Sequence, residues 1–471
     1  MMKINATITI PLLFITLVML SGPAMASDKI VAVSADRLHT LALGDDGSVW
    51  EWGDNRGGQL GIPGKTPQYT PIRVPITNVT AISAGSFVNL ALKDDGTVWA
   101  WGRLDFIVAN TPDNFTLYKI PIQDVKAVYA GPGWWYTVKT DGTVWAWGAN
   151  SAGHVGDGTY TDKLTPVLIN ITDVGFIDGR GTFAVKNDGT VWAWGDNTYT
   201  CLDSYAITGA LGDFSENKSR PFPFKVDMLS NVKSIAKGGE ATLVLKNDGS
   251  VWAWGSDYYG QLGDGNKTYE TMIIKGDQCS VYNDFLVKSK IDRVKAISTG
   301  HCLGMALKED HTVWVWGSYA GVNGMSTPAK VQGLNDIIQI SAGAYHCVAL
   351  KQDGSVWSWG NNEFGQIGGG PAIYKLTPVK VEFDEGNVIE YPVIITSNTS
   401  ANNVGSNTSS AVTPIKNSGG TGYNLSIPSS TLKPASEQQT GQPTDDTILK
   451  IIGIIGLILF TAGAAYLLIK K

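Results

Sequence analysis

The sequence has few charged residues, few histidines and few cysteines. Asp, Glu, Lys and Arg together make up 17% of its 471 residues, against about 25% in an average globular protein. The formal net charge of -6 is small for this length, and like charges are not clustered in blocks, so nucleic acid is not expected as a partner. The 5 histidines are scattered and no Cys-x-x-Cys occurs, so neither a metal site nor a cofactor is predicted.

Motifs that mark common enzyme sites are also missing. The sequence contains no Gly-x-Ser-x-Gly nucleophile elbow, no phosphate-binding Gly-x-x-x-x-Gly-Lys loop and no His-Glu-x-x-His motif. Its Asp and Glu residues occur at turn positions rather than in recognisable catalytic pairs. We therefore predict that the chain is not an enzyme, although carboxylates assembled from distant segments would leave no such motif.

The two ends of the chain have the composition of targeting segments. Residues 1–26 contain Lys3, then an apolar run, then Ala24-Met25-Ala26, the pattern of a signal peptide and its cleavage site. Residues 451–469 carry no charge, and as a helix they would reach about 28 Å, close to the thickness of a bilayer core. Lysines flank this segment on both sides. We expect a transmembrane helix over 448–469, a cytoplasmic tail of 470–471, and an extracellular location for the rest.

Residues 385–447 are predicted to form a stalk between a folded domain at 27–384 and the membrane. From 397 onward this stretch is rich in Ser, Thr, Asn, Gly and Pro, so it cannot bury enough apolar surface to form a core. Asn-x-Ser/Thr sequons in the exported part suggest N-glycosylation. They occur at Asn78, Asn114, Asn170, Asn217, Asn266, Asn398, Asn407 and Asn424.

Tryptophan is abundant, with 16 residues, and nearly all of it belongs to one repeat. The pentapeptide Val-Trp-x-Trp-Gly occurs seven times, which accounts for fourteen of the tryptophans and leaves only Trp134 and Trp135. The first Trp of each copy is at Trp50, Trp99, Trp145, Trp192, Trp252, Trp314 and Trp357. Successive copies are separated by 43 to 62 residues, and a repeat of several tens of residues is typical of repeat architectures.

Each copy follows an apolar stretch and a turn. In six copies the turn contains Asp-Gly, which predicts a type I′ hairpin with positive φ at both central residues. The sixth copy has Asp310-His311 instead, and we expect a longer or distorted turn there. The two Trp of one strand point to the same face, and stacking sheets into a closed ring would cover that face on every sheet.

Further elements recur in a fixed order. Thr-Pro-Val, Ile-Ser-Ala-Gly, Leu-Ala-Leu-Lys, Asp-Gly-x-Val-Trp-x-Trp-Gly and Gly-Gln-Leu-Gly follow one another over about 30–381. This order resembles the repeat of the RCC1 family, named for the regulator of chromosome condensation. The resemblance implies an all-β fold, a seven-bladed β-propeller. The founding activity of that family is nucleotide exchange on a small GTPase bound to chromatin, and the export signal and acidic balance argue against it here.

The first repeat lacks a Thr-Pro strand and the last ends in an additional one, Thr377-Pro378. We therefore expect the two ends of the ring to share one blade, which would leave no exposed strand edge. The extra residues of the two longest repeats fall near 199–208 and 277–290, and we expect them in loops at a propeller face.

Two groups of residues are candidates for sites or cross-links. The four cysteines would be exported, so we expect the disulfides Cys201–Cys279 and Cys302–Cys347, with free buried thiols as an equal alternative. Alignment of the repeats places Trp134 where the first and seventh carry His39 and His346. By the resemblance this position lies near the central channel. We predict an aromatic recognition patch of Phe87, Trp134, Trp135 and Tyr345 there, with packing of the third blade as the alternative.

These patterns favour a cell-surface interaction or adhesion module that binds an extracellular protein or glycan through a propeller face without catalysis. Two alternatives remain open: a structural component of a surface layer, and an extracellular enzyme that processes glycans or other polymers.

Overall fold

The computed structural model describes residues 29–104, 117–178, 180, 182–201, 205–213, 215, 217–267, 271–274, 277–280, 282–319, 322–384, 386–387 and 393–394. All regular structure in these residues is β-strand. They contain no helix of the length and apolar character needed to cross a membrane. The predicted signal peptide and transmembrane helix lie outside the described residues.

The strands form seven blades of four antiparallel strands, one blade per repeat, as predicted, and the sheet of blade 2 gains a fifth, parallel strand from the end of the described chain. Blades 1 and 2 contain β1 (Ile30–Asp36), β2 (His39–Gly44), β3 (Val49–Gly53), β4 (Gln68–Val74), β5 (Val79–Ser83), β6 (Val88–Lys93), β7 (Val98–Gly102) and β8 (Leu117–Lys119). Blades 3 and 4 contain β9 (Val125–Ala130), β10 (Trp134–Lys139), β11 (Val144–Gly148), β12 (Lys163–Ile169), β13 (Val174–Asp178), β14 (Phe183–Lys186), β15 (Val191–Asp196) and β18 (Ser219–Lys225).

The other three blades repeat this arrangement. They contain β19 (Val232–Lys237), β20 (Ala241–Lys246), β21 (Val251–Ser256), β24 (Tyr282–Lys288), β25 (Val294–Thr299), β26 (Leu303–Lys308), β27 (Val313–Tyr319), β28 (Val322–Lys330), β29 (Ile337–Ala342), β30 (His346–Lys351), β31 (Val356–Asn361) and β32 (Tyr374–Lys380). Two separate hairpins are inserted in blades 4 and 5. They are β16 (Thr198–Cys201) with β17 (Tyr205–Thr208), and β22 (Thr271–Ile274) with β23 (Asp277–Ser280).

The first strand of each blade is the innermost. First strands of neighbouring blades contact one another, as β1 does with β5 and β29. Because the four strands of a blade alternate in direction, its connections lie on two opposite faces of the ring. One face, which we call the turn face, carries the Asp-Gly turns between second and third strands. The other, the loop face, carries the connections from first to second and from third to fourth strand. Both inserted hairpins therefore lie on the loop face, in agreement with the prediction for the long repeats.

The core consists of seven apolar clusters, one at each junction between adjacent blades. The second Trp of each pentapeptide is fully buried there. The indole N–H of Trp316 donates to the carbonyl oxygen of Gln261 in the preceding blade at 2.8 Å. That carbonyl belongs to a Gly-Gln-Leu-Gly loop, whose last residue, Gly263, has φ +70 and would place a Cβ only 2.9 Å from the same indole nitrogen. The Gly-Gln-Leu-Gly loop therefore packs against the tryptophan of the next blade, and Gly263 is required because a side chain there would overlap the indole.

The Asp-Gly turns differ from the predicted type I′ hairpin. In blade 2, Gly96 N–H donates to the Lys93 carbonyl at 3.0 Å and Lys93 N–H to the Thr97 carbonyl at 2.9 Å. Only the glycine has positive φ, at 75°, so the loop is a three-residue type I turn followed by a left-handed glycine. The Asp95 carboxylate accepts both the backbone N–H and the hydroxyl of Thr97, which fixes the aspartate in the turn.

The expectation of a distorted turn in blade 6 is wrong. His311 adopts φ 63 and its N–H donates to the Lys308 carbonyl at 3.0 Å, as the glycine does in the other turns. The ring Nδ1 of His311 lies 2.9 Å from the carbonyl oxygen of Ile337 in the next blade. This contact offsets the strain of a left-handed residue that has a side chain.

The ring does not close through a shared blade, which corrects the prediction. The strand with Thr377-Pro378, β32, pairs with β31 of its own repeat, because each Thr-Pro strand is the outer strand of the blade that precedes it. Blades 7 and 1 meet instead through side-chain packing and hydrogen bonds. Gln339 of blade 7 accepts from the Val33 N–H and donates to the Val33 carbonyl, at 2.9 and 3.0 Å.

The described residues that follow blade 7 cross this junction; we call residues 381–384, 386–387 and 393–394 the closing strap. Phe383 packs edge-on against Trp50 and Trp52 of blade 1, with ring centroids 5.5 and 5.9 Å apart. Asn387 bonds the backbone of β4, through the N–H of Arg73 and the carbonyl of Pro71. At its end, β33 (Val393–Ile394) pairs in parallel with β8 of blade 2. Asn387 and β33 lie within the range predicted as stalk, 385–447, yet they add to the propeller.

Candidate functional site

The rim of the central channel on the loop face is the most varied part of the ring. In six blades the residue just before the second strand differs from blade to blade, and the strand register confirms the alignment of the repeats at this point. In blade 4 the register of β14 with β15 gives Arg180 as the equivalent residue, three positions before β14. The seven residues are Leu38, Phe87, Gly133, Arg180, Glu240, Cys302 and Tyr345. Since packing would keep such a position uniform, the variety indicates that this rim is not specified by the fold alone.

The structure separates the two adjacent tryptophans of blade 3. Trp135 is only 1% exposed and packs against Trp147, with ring centroids 6.2 Å apart. It is a core residue and not part of a recognition surface, because neighbouring residues of a strand point to opposite faces. Trp134 is half-buried and stacks flat on His154 with ring centroids 3.6 Å apart.

Phe87 lies between two arginines on the rim. The guanidinium carbons of Arg37 and Arg103 are 5.4 and 5.7 Å from the centre of its ring, both within range of a cation–π contact. Gly57 of blade 1 lies beneath the ring, where a Cβ would be 3.2 Å from its edge. The phenyl group is therefore held rigidly between blades 1 and 2.

Tyr345 lies near Arg37, whose backbone carbonyl accepts from the N–H of the adjacent Ala344 at 2.8 Å. The tyrosine is 40% exposed, and its ring meets that of His301 edge-on with centroids 5.6 Å apart. Partial burial raises its pKa to about 12, so the phenol keeps its proton and remains a hydrogen-bond donor at neutral pH. Tyr345 and Phe87, with Arg37 and Arg103, form what we call the rim patch. Two of its members, Phe87 and Tyr345, were predicted from the sequence.

An ion pair crosses the centre of the ring beside this patch. The Arg180 guanidinium of blade 4 contacts the carboxylate of Asp36 in blade 1, on the opposite side. The same guanidinium donates to the carbonyl oxygens of Thr299 and Ala342, in blades 6 and 7, at 3.1 and 3.3 Å. Arg180 thus ties four blades together at the rim.

Two buried histidines lie at the rim ends of β2 and β30. His39 and His346 are fully buried, and their Nε2 atoms lie 2.7 Å from Asn89 Oδ1 and 2.9 Å from Thr40 Oγ1. Burial lowers the pKa of both, that of His346 to about 3. Both are neutral at physiological pH and inaccessible to a substrate, so they act in the structure rather than in acid–base catalysis.

The other predicted site residues have mixed outcomes. Cys302 and Cys347 are free buried thiols, so the expected disulfide between them is not formed. Cys201 and Cys279 lie in the two inserted hairpins, but their side chains are outside the described part. Four sequon asparagines, Asn78, Asn170, Asn217 and Asn266, are exposed. The other four, Asn114, Asn398, Asn407 and Asn424, lie outside the described residues.

Comparison with known proteins assigns the family. The sequence profile described as the RCC1-like domain matches residues 18–268, more than half of the chain. This chain belongs to the RCC1-like domain family. Two further profiles, both of the regulator of chromosome condensation (RCC1) repeat, match residues 337–366 and 353–395 of this RCC1-like protein.

Individual relatives are distant. The chain is 30% identical over 175 residues to the human E3 ubiquitin-protein ligase HERC2, covering 34% of this chain and 3% of that protein. It is 26% identical over 174 residues to the ultraviolet-B receptor UVR8 of Arabidopsis thaliana, covering 34% of this chain and 36% of that protein. The chain thus spans well under half the length of these relatives.

Among solved structures, yeast RCC1 (Prp20), determined bound to Kap60, has a similar fold. The TM-score is 0.57 at 19% identity, over 76% of this chain and 86% of that one. The likeness supports the RCC1-like propeller and says nothing of a shared partner.

Sequence reasoning missed the charged part of the rim. Arg37 lies one residue before the position that varies, and Arg103 begins a segment noted only for its length. The pairing of Arg180 with Asp36 joins residues from opposite sides of the ring, and no spacing along the chain indicates it. The one signal available was the change of residue type at the aligned position, where Arg180 and Glu240 replace apolar neighbours.

Proposed function

We propose that this RCC1-like propeller is a non-catalytic binding module, exported and anchored at the cell surface, that captures a protein or glycan with the rim patch of its loop face. The observation that carries the proposal is the rim patch itself: an exposed tyrosine and a phenylalanine held around Arg37. Tyrosine and arginine dominate the binding energy of many interfaces, since each offers a large flat surface together with hydrogen-bond donors.

The rest of the loop face supports the same choice. Both inserted hairpins project from it, and insertions of repeat proteins commonly lie on the face that binds. The turn face is built from repeated copies of one three-residue turn, in which hydrogen bonds from Thr or Ser hold the pKa of carboxylates such as Asp95 and Asp188 below the usual range. A face built from near-identical turns offers little to distinguish one partner from another, whereas the rim does.

The family adds a general argument. Solved RCC1-like structures include a protein complex, that of yeast RCC1 bound to Kap60. The identity of 19% is too low to transfer that partner, but it is consistent with a propeller that acts by recognition. The signal and membrane segments predicted from the sequence support a partner outside the cell.

The test compares variants of the 471-residue chain in cross-linked capture from native envelope and on a glycan array. Arg37→Ala/Tyr345→Ala removes two contacts of the rim patch. Tyr374→Ala is the matched control, because Tyr374 is more exposed, at 57%, but lies on the outer strand of blade 7. We expect a ligand that the unmodified chain and the Tyr374 variant both retain and the double variant loses. Equal retention by both variants would show that the rim patch is not the binding site.

A further inference from the structure

A cluster of potential metal ligands lies on the loop face where blades 5 and 6 meet. A carboxylate oxygen of Glu240, a ring nitrogen of His301 and the sulfur of Cys302 all lie within 4.8 Å of one another. Within the described residues, this is the one group of three such ligands found that close together. Glu240 comes from the rim loop of blade 5, and the other two from that of blade 6.

We propose that Glu240, His301 and Cys302 bind one Zn²⁺ ion and leave a fourth coordination position open to the loop face. None of these ligands belongs to the rim patch, although His301 contacts its Tyr345. The proposal does not rest on the proposed binding function, because metal binding is measured without a partner.

The donor set fits zinc. Thiolate, imidazole and carboxylate are the three ligand types that zinc takes in proteins, and three of them with one open position is a common zinc arrangement. The sulfur disfavours Mg²⁺ and Ca²⁺, which prefer oxygen ligands. Tetrahedral zinc with its usual bond lengths separates its ligand atoms by about 3.3–3.6 Å. His301 Nε2 and Glu240 Oε1 are already 3.7 Å apart, so small side-chain rotations complete the geometry.

The ligands are held in place by the backbone around them. The Glu240 N–H donates to the His301 carbonyl at 3.3 Å, and the His301 N–H donates to the Ala344 carbonyl of blade 7 at 2.9 Å. Gly239 lies directly against the imidazole, since a Cβ there would be 2.0 Å from its Nδ1. This contact occupies the Nδ1 edge of the ring and leaves Nε2 towards Glu240. Gln261 orients the carboxylate by donating to Glu240 Oε2 at 3.1 Å, which is the kind of outer contact that supports metal ligands.

Solvent exposure of the three ligands increases from one side of the cluster to the other, as a site with an open coordination position requires. Cys302 is 6% exposed, whereas the side chains of Glu240 and His301 are 27% and 39% exposed. A bound ion would therefore have its sulfur ligand inside and its free position towards solvent. Burial, and then the charge and hydrogen bond of Glu240, raise the pKa of the Cys302 thiol. A divalent cation bound between Glu240 and Cys302 would lower the pKa of this thiol and favour the thiolate.

The test measures Co²⁺ and Zn²⁺ binding to the 471-residue chain. Every variant also carries Cys201→Ser and Cys279→Ser, so that Cys302 and Cys347 are the two thiols that remain. Co²⁺ bound to a thiolate gives a near-ultraviolet charge-transfer band, which Zn²⁺ then displaces. We expect this band at one equivalent, and a loss of affinity of at least about 100-fold in both Cys302→Ser and His301→Ala. Cys347→Ser is the matched control, since Cys347 is the other buried free thiol and belongs to no such cluster.

His301→Ala keeps the test decisive if Cys302→Ser fails to fold, because the imidazole is partly exposed and its removal leaves the buried core intact. Far-ultraviolet circular dichroism checks the fold of each variant. A chain without the charge-transfer band, a band that survives Cys302→Ser or His301→Ala, or a band lost only with Cys347→Ser would overturn the proposal.

Discussion

Removal of the Phe383 ring tests whether the closing strap holds the ends of the propeller together. Phe383 is half-buried and makes two edge-on contacts, with Trp50 and Trp52. Each such aromatic pair contributes about 0.5–1.5 kcal/mol beyond its buried area, and half-burial of a phenyl group contributes about another 1 kcal/mol. The two pairs and the burial together give about 2–4 kcal/mol, so we expect Phe383→Ala to lower the free energy of unfolding by about this amount.

Denaturant unfolding followed by tryptophan fluorescence measures this difference. Tyr374→Ala serves as the control, since that residue belongs to the same end of the chain but is 57% exposed, and we expect a change within about 0.5 kcal/mol. If ring closure depended on blade packing alone, the two variants would unfold at the same denaturant concentration. That result would refute the role assigned to the strap.

Two further predictions concern the core. Trp316→Phe removes the buried donor to the Gln261 carbonyl at 2.8 Å and should lower the free energy of unfolding by about 2–4 kcal/mol. Trp314→Phe, in a partly exposed position, should lower it by at most half as much. Equal denaturant midpoints for the two variants would contradict a stabilising role of this hydrogen bond between blades. His346 has its pKa lowered from 6.5 to about 3 by burial, so between these values the unfolded chain binds a proton that the folded chain does not. Stability should therefore fall as pH falls through this window, by up to about 1.4 kcal/mol per pH unit. His346→Gln should show a smaller slope in unfolding measurements from pH 7 to 5, and an unchanged slope would contradict this assignment.

The ring and its strand order follow from features that repeat along the sequence. Each Val-Trp-x-Trp-Gly copy places its second Trp against the preceding blade, so seven copies predict seven blades. The residue at which each blade begins was harder to predict from the sequence. A periodic sequence does not show where a unit begins, and Thr377-Pro378 was therefore assigned to the wrong blade. The turn type was missed because the Thr97 hydrogen bonds to Asp95 outweigh the Asp-Gly signal.

The candidate site was predictable only in part. Phe87 and Tyr345 were found because they stand at an aligned position where other repeats differ. Trp135 was assigned wrongly, since two adjacent tryptophans of one strand cannot both face the rim. The arginines of the rim patch and the Glu240 cluster depend on contacts between blades, which arise from the ring and leave no pattern along the chain.

The most direct test of the account is a hydrogen-exchange footprint of the chain bound to the ligand that capture identifies. Binding through the rim patch predicts added protection at loop-face amides, in residues 36–39, 86–88 and 343–346, with no change at the Asp-Gly turns. Protection at the turns with an unchanged rim would contradict the central claim that this propeller recognises its partner through the loop face.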